Sequence, residues 1–245
     1  MRLGPSVPKS RMRITTDRPP LDVAAFSQDS LTQHQELLLR RVFAHSSTAQ
    51  PLEVAGDESS ARDSSPLVAA AVLVPLVLRE TEITVLLTQR NARLKNHPGQ
   101  ISFPGGRIEA CDASALAAAL REAEEEVGLP AAHVEVMGTL PQYRTVTGFR
   151  ITPVVGLVRP PLALRIDPRE VAEAFEVPLA FLVDPHNRQR HSIDFHGRQR
   201  SYSAIPYGER YIWGATAGMI VQLAERLQCG QDTAEYGADV SRQPG

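Results

Sequence analysis

Residues 114–129 read SALAAALREAEEEVGL, an apolar run that passes directly into Glu122, Glu124, Glu125 and Glu126. Leu116, Leu120, Ala123 and Val127 recur at helical spacing, Gly128 stands where a left-handed C-cap belongs, and Pro130 opposes continuation. The pattern predicts a helix over 114–127. At about 100° per residue, Glu122, Glu125 and Glu126 project from one side, whereas Glu124 points about 200° away from Glu122. The stripe of Leu116, Leu120 and Ala123 is left to pack on a sheet. Like charges four residues apart cost a helix a few tenths of a kcal/mol, so something must offset the repulsion. Either Arg121 braces Glu125 on a solvated face, or a hard divalent cation, Mg²⁺ or Mn²⁺, sits among carboxylates that form a ready-made site for it.

Just upstream, FPGG at 103–106 places Gly105 and Gly106 in a turn whose backbone N–H groups can approach an anion. A carboxylate face that suits a cation, beside a glycine turn that suits an anion, points to phosphate chemistry. The whole chain supplies no competing explanation. Its 26 Lys and Arg stand against 28 Asp and Glu, so no strong net field draws nucleic acid or anionic membrane, and any anion site must be local. Cys111 and Cys229 are too few for a disulfide framework or a zinc cluster, which fits a reducing compartment. The apolar stretch LVAAAVLVPLVL falls short of the roughly 18 residues of a membrane span and is interrupted by proline. A cytoplasmic protein, free of the membrane, is expected.

Composition divides the chain. Residues 1–28 hold Pro5, Pro8, Pro19 and Pro20, begin with a basic, acid-free stretch that lacks a secretory core, and read as flexible. A helix is expected from Asp29 to about His45, with Leu31, Leu38, Leu39 and Val42 on one side, followed by a linker to residue 66. From Leu67 two β-rich runs, LVAAAVLVPLVLRE and ITVLLTQR, predict a hairpin. HVEVMGTL and ITPVVGLV predict further strands. PREVAEAFEVPLAFLVD mixes an acidic turn with an apolar run that fits helix and strand equally. HSIDFHGRQRSYSAI predicts a hairpin turning at His196-Gly197, and IWGATAGMIVQLAERL a long helix with Trp213 and Met219 in the core. Residues 229–245 read as a flexible tail.

Gly106–Leu129 resembles the signature box of the Nudix hydrolases: Gly, five residues, Glu, seven residues, Arg-Glu, apolar, any, Glu-Glu, any, Gly, apolar. Arg121, Glu122, Glu125, Glu126 and Gly128 match in register. The loop between is one residue longer, because Ala113 stands eight before Arg121 while Asp112 lies six after Gly106; Asp112 is not assigned to metal. The preceding segment, LLTQRNARLKNHPGQISFPGG at 86–106, is similar to the motif before the box in coenzyme A pyrophosphatases, with Arg90, Lys95, Gly99 and Phe103 in the matching positions. EVAEAFEVPLAFLVDP and IWGATAGMI agree with it.

The resemblance implies an α/β fold, the Nudix α/β/α sandwich around a mixed sheet, over 67–228, here with an N-terminal helical extension. It implies Mg²⁺- or Mn²⁺-dependent hydrolysis of the pyrophosphate of coenzyme A or its derivatives, giving 3′,5′-ADP and (acyl-)4′-phosphopantetheine. It places metal on Glu122, Glu125 and Glu126, substrate on Arg90, Lys95, Gly105 and Gly106, and catalysis on Glu125, Arg121 and a loop base, Glu170, with Glu173 in reserve. The partner is then a nucleotide-type small molecule, not nucleic acid or membrane, and a homodimer is left open. The alternatives are a Nudix hydrolase of ADP-ribose, NADH or capped RNA, a catalytically silent Nudix binding module, and an acidic-helix interaction protein.

Overall fold

The computed structural model describes residues 28–44, 66–94, 96–195 and 198–240. The flexible N-terminus expected over 1–28 therefore lies outside the described residues except at its last position, as do most of the expected linker, Lys95 and the His196-Gly197 turn.

The predicted hairpin is present. β1 (Val68–Leu78) pairs antiparallel with β2 (Ile83–Arg90), but only from Leu76 to Leu78, at the hairpin end. Toward their other ends the two strands part, and short strands from the Gly/Pro-rich loop fill the fork: β3 (Ile101–Ser102) pairs with β2 at Thr88 and Gln89, and β4 (Gly105–Arg107) pairs with β1 at Ala70, Ala71 and Val72. Pro75 lies where neither β4 nor β2 pairs with β1. A residue without an N–H is tolerated at such a gap in the ladder. The other edge of β1 runs parallel to β7 (Phe149–Val158), which also pairs with β5 (Val134–Thr139) and β6 (Tyr143–Arg144). The other edge of β2 is covered by β8 (Val171–Pro178).

Helices cover both faces of this mixed sheet. α2 (Ala115–Val127) is capped by Ser114, whose hydroxyl accepts from the Ala117 N–H, and ends at Gly128 with φ +67°. Its sheet-facing stripe is Ala118, Ala119, Ala123 and Val127, fully buried against Ala71, Leu73, Val77 and Leu86; Leu116 and Leu120 sit at the flank. Alanines at the contact let the helix approach the sheet closely. The opposite face carries the larger core, to which α1 (Gln28–Ala44), α3 (Leu179–Val183) and α4 (Ala215–Val240) contribute Leu39, Phe43, Leu182, Met219, Ile220 and Leu223.

The ambiguous run at 170–183 is both things in succession, strand β8 and then helix α3. A second sheet of β9 (Gln189–Phe195), β10 (Arg198–Tyr207) and β11 (Arg210–Trp213) contains the expected hairpin, with Phe195 opposite Arg198. Two expectations at the C-terminal end are corrected. Trp213 ends β11 and is 41% exposed, because Gly214 at φ +64° turns the chain before α4 begins. The helix itself continues past Gly230 to Val240, where a tail was expected. Among the described residues no helix is long and apolar enough to cross a membrane.

Candidate active site

The C-terminal half of α2 lies over the fork between β1 and β2. Glu126 is buried, 4% exposed, and accepts a hydrogen bond at 3.1 Å from the Gly105 N–H, with the Arg90 guanidinium 3.8 Å away. Burial pushes its carboxyl up to about 7, with Glu122 and Glu170 adding to the rise and the Gly105 N–H and Arg90 opposing it. Burial also raises Glu122, against the charge and hydrogen bond of Arg121, while Glu125 and Glu170 push the same way as burial. Glu122 and Glu126 thus share a poorly solvated space, and the Glu170 charge reaches both.

Both glycines of the turn are needed by the protein itself. A Cβ on Gly106 would stand 2.5 Å from the Glu122 carboxyl carbon, and one on Gly105 would collide with the Ala71 carbonyl oxygen and with Val72. The expectation that this turn offers its N–H groups to a substrate anion is corrected at Gly105, whose N–H is committed to Glu126.

Arg121 is the organiser of the acidic face. Its guanidinium forks onto both oxygens of Asp112 (2.9 Å each), donates to Glu122 at 3.1 Å and Glu125 at 2.9 Å, and also reaches the Arg107 carbonyl at 3.3 Å. The hydrogen bonds from Arg121 hold the Asp112 carboxyl below its usual range. Arg121 therefore positions carboxylates. Asp112, singled out in the sequence by its place six after Gly106 but left without a role, is the partner that Arg121 forks onto.

Glu170 lies just before β8, on a turn fixed from two directions. Asp167 N–H donates to the Glu126 carbonyl at 2.9 Å and Arg165 N–H to that of Val127 at 2.8 Å, tying the segment to the end of α2. Asn91 N–H donates to the Glu170 carbonyl at 2.8 Å, and the Asn91 side chain to that of Pro168 at 2.6 Å, tying it to the end of β2. Glu173 is placed elsewhere, paired with Arg210 at 2.5 Å.

Among the described residues no three His, Cys, Asp or Glu side chains converge tightly enough to hold a metal ion. Arg121 holds Glu122 and Glu125, and Glu126 faces Gly105. The donor set nevertheless fits a divalent cation. Hard carboxylate oxygens are gathered where burial and mutual repulsion disfavour their negative charge, and a cation relieves both.

The forked mixed sheet between helices brings an acidic helix end over the fork, a donor set that suits metal-assisted phosphate chemistry. The family profile of the NUDIX domain matches residues 67–195. Over 163 residues the chain is 48% identical to the Nudix hydrolase NudL of Escherichia coli strain K12, covering 66% of this chain and 82% of that protein. NudL of Shigella boydii serotype 18 is 47% identical over the same length and shares. Among solved structures, the NUDIX domain of Shewanella oneidensis NrtR complexed with ADP ribose is similar with a TM-score of 0.44 at 19% identity, covering 69% of this chain and 94% of that one. The chain belongs to the Nudix family and is a pyrophosphohydrolase of nucleoside diphosphate derivatives. Nudix hydrolases generally use divalent metal ions.

Proposed function

We propose that this enzyme hydrolyses the pyrophosphate bond of coenzyme A or its derivatives, releasing 3′,5′-ADP and (acyl-)4′-phosphopantetheine. The observation that carries the reading is the placement of the segment 86–106. The stretch that resembles coenzyme A pyrophosphatases forms the wall of the carboxylate site, through Arg90 beside Glu126 and through Gly105 beneath it.

Glu122, Glu125 and Glu126 would hold a divalent cation, Mg²⁺ or Mn²⁺. When bound, such an ion neutralises phosphate charge and acidifies water. The remaining work falls to the chain. Asp112 and Arg121 keep the carboxylates aligned, so that positioning is prepaid before substrate arrives. Glu170, exposed at the rim and electrostatically in touch with Glu122 and Glu126, accepts the proton of the attacking water. Arg90 draws the pyrophosphate toward Glu126, and Lys95 is assigned to the substrate through its place in the motif alone.

A substrate panel with product analysis tests the reading. Coenzyme A, its thioesters or its disulfide should be cleaved with higher kcat/KM than ADP-ribose or NADH, and EDTA should abolish turnover until metal is restored. Equal kcat/KM for ADP-ribose would remove the coenzyme A assignment and leave the pyrophosphohydrolase intact.

A further inference from the structure

Behind the signature loop lies a cleft that the hydrolytic chemistry does not use. It has a volume of about 460 Å³ and is lined by Gln89, Gly99, Glu173, Arg210, Tyr211 and Trp213, with Ile101 at its floor and Glu209 at its rim. That volume is in the about 300–1,000 Å³ range of small-molecule sites. Tyr211 and Trp213 alternate along β11 and so share one face of the second sheet; they are 42% and 41% exposed, among the most exposed large apolar side chains of the described residues. Tyr202 meets Trp213 edge-on at 5.6 Å and His191 stacks on Tyr202, which fixes the orientation of the outer rings.

Charge decides what such a cleft accepts. Glu173 and Glu209 bring two carboxylates, whereas the one cation of the lining, Arg210, is already paired with Glu173 and sits over the Phe175 ring, 4.2 Å from its centroid. The balance repels phosphate. Aromatic faces with carboxylate and amide acceptors around them suit an uncharged planar ring that carries an amino group. The cleft also begins beside the hydrolytic site. Of the consecutive residues Gln89 and Arg90, the first lines the cleft and the second stands 3.8 Å from Glu126. Glu170 and Glu173 are three residues apart, about 10 Å of extended chain, which a ribose between base and pyrophosphate can span.

We infer that this cleft is the nucleobase subsite, in which Trp213 and Tyr211 stack an amino-bearing purine whose exocyclic amine donates to Glu173 or Glu209. The inference rests on the pyrophosphohydrolase reading for the identity of the substrate, but it is testable by binding alone. Trp213 is the chain's one tryptophan, so its emission reports the cleft directly. Titrating the full-length protein with ADP should quench Trp213 saturably. Inosine diphosphate, which lacks the amine, should bind several-fold more weakly, and inorganic pyrophosphate should leave the emission unchanged. Tyr211→Ala should weaken ADP binding roughly tenfold, and Trp213→Ala should raise KM for the hydrolysed nucleotide by a similar factor with kcat little changed. Quenching by pyrophosphate equal to that by ADP, or an unaltered KM in folded Trp213→Ala, would overturn the subsite. Quenching by ADP in a protein that hydrolyses no coenzyme A derivative would overturn the proposed substrate and leave the subsite standing.

Discussion

The buried carboxyl of Glu126 should make the metal-free enzyme lose stability as pH rises, and Glu126→Gln should remove that loss. The unfolded chain ionises this glutamate near 4.5, whereas burial in the fold pushes it up to about 7. Below about pH 4.5 both states carry the proton and no penalty exists. Between the two values the unfolded chain releases it while the folded one keeps it, so stability falls with pH. Above about 7 the full penalty is present. The gap between 4.5 and about 7, at about 1.36 kcal/mol per pH unit, amounts to about 3 kcal/mol. That is a large fraction of an ordinary domain's stability. Glu122, raised in the same direction, adds to the slope.

Urea denaturation followed by circular dichroism, in EDTA from about pH 4 to 8, measures this. Glutamine retains an acceptor for the Gly105 N–H and any residual packing difference is independent of pH, so the diagnostic quantity is the change in the mutant-minus-wild-type difference. It should grow by about 3 kcal/mol in the mutant's favour across that range. A difference that stays constant with pH would refute the claim that Glu126 is a desolvated acid. Mg²⁺ supplied at about 100 times its dissociation constant should return about 2.7 kcal/mol to the wild type at pH 8 and far less to Glu126→Gln. Equal stabilisation of both would place the cation elsewhere.

Other substitutions probe the rest of the site. Glu122→Gln and Glu126→Gln should each abolish most turnover while the circular dichroism spectrum is retained; near-normal kcat at saturating Mg²⁺ in either would remove the metal assignment. Gly106→Ala puts a methyl group 2.5 Å from the Glu122 carboxyl carbon, so kcat should fall by roughly tenfold or more with a melting temperature only a few degrees lower. Asp112→Asn leaves Arg121 without its charged clamp, so the Mg²⁺ concentration for half-maximal activity should rise; a superimposable metal titration would show that the clamp is only structural. Glu170→Gln should lower kcat by roughly 10²-fold with little change in KM and flatten the acid limb of the pH profile, and an unchanged kcat would assign proton removal elsewhere.

Much of this was legible in the sequence where local pattern suffices. The helix at 114–127 announces itself through spacing, the Ser114 cap and Gly128, and the carboxylate face follows from its geometry. The hairpin of β1 and β2 needs only β-rich runs and a short turn. What depended on distant partners stayed hidden. The run at 170–183 carries no decisive period of its own, and its first half becomes a strand because β2 lies open beside it from Thr84 to Arg90. Trp213 fits a helical stripe in the sequence, yet the positive φ of Gly214 leaves it on a strand facing outward. Arg121 was recognisable as a brace for Glu125, but not as the fork on Asp112, because the longer loop hides which acid falls opposite it.

The opening puzzle, four carboxylates crowded into one helix end, resolves into a division of labour. Glu124 points to solvent, and Arg121 with Asp112 restrains Glu122 and Glu125, so Glu126 is the one forced deepest into a dry position, with its nearest cation, Arg90, 3.8 Å away. That position exists because β1 and β2 part and let a glycine turn bring its N–H beneath the carboxyl. A hydrophobic residue there would pack the fork more stably. The buried acid is therefore a local violation of the rules that stabilise the rest of the fold, and such violations concentrate where function requires them. A cation would need to compete with the hydrogen-bonded guanidinium of Arg121 for Glu122 and Glu125, but with one backbone donor and the looser Arg90 contact at 3.8 Å for Glu126. The fold therefore makes Glu126 the first carboxylate that a metal should capture, and the loss of affinity on Glu126→Gln should exceed that on Glu125→Gln in a direct titration with Mn²⁺ followed by electron paramagnetic resonance. The reverse order would mean that the exposed rim, and not the buried end of the fork, anchors the ion.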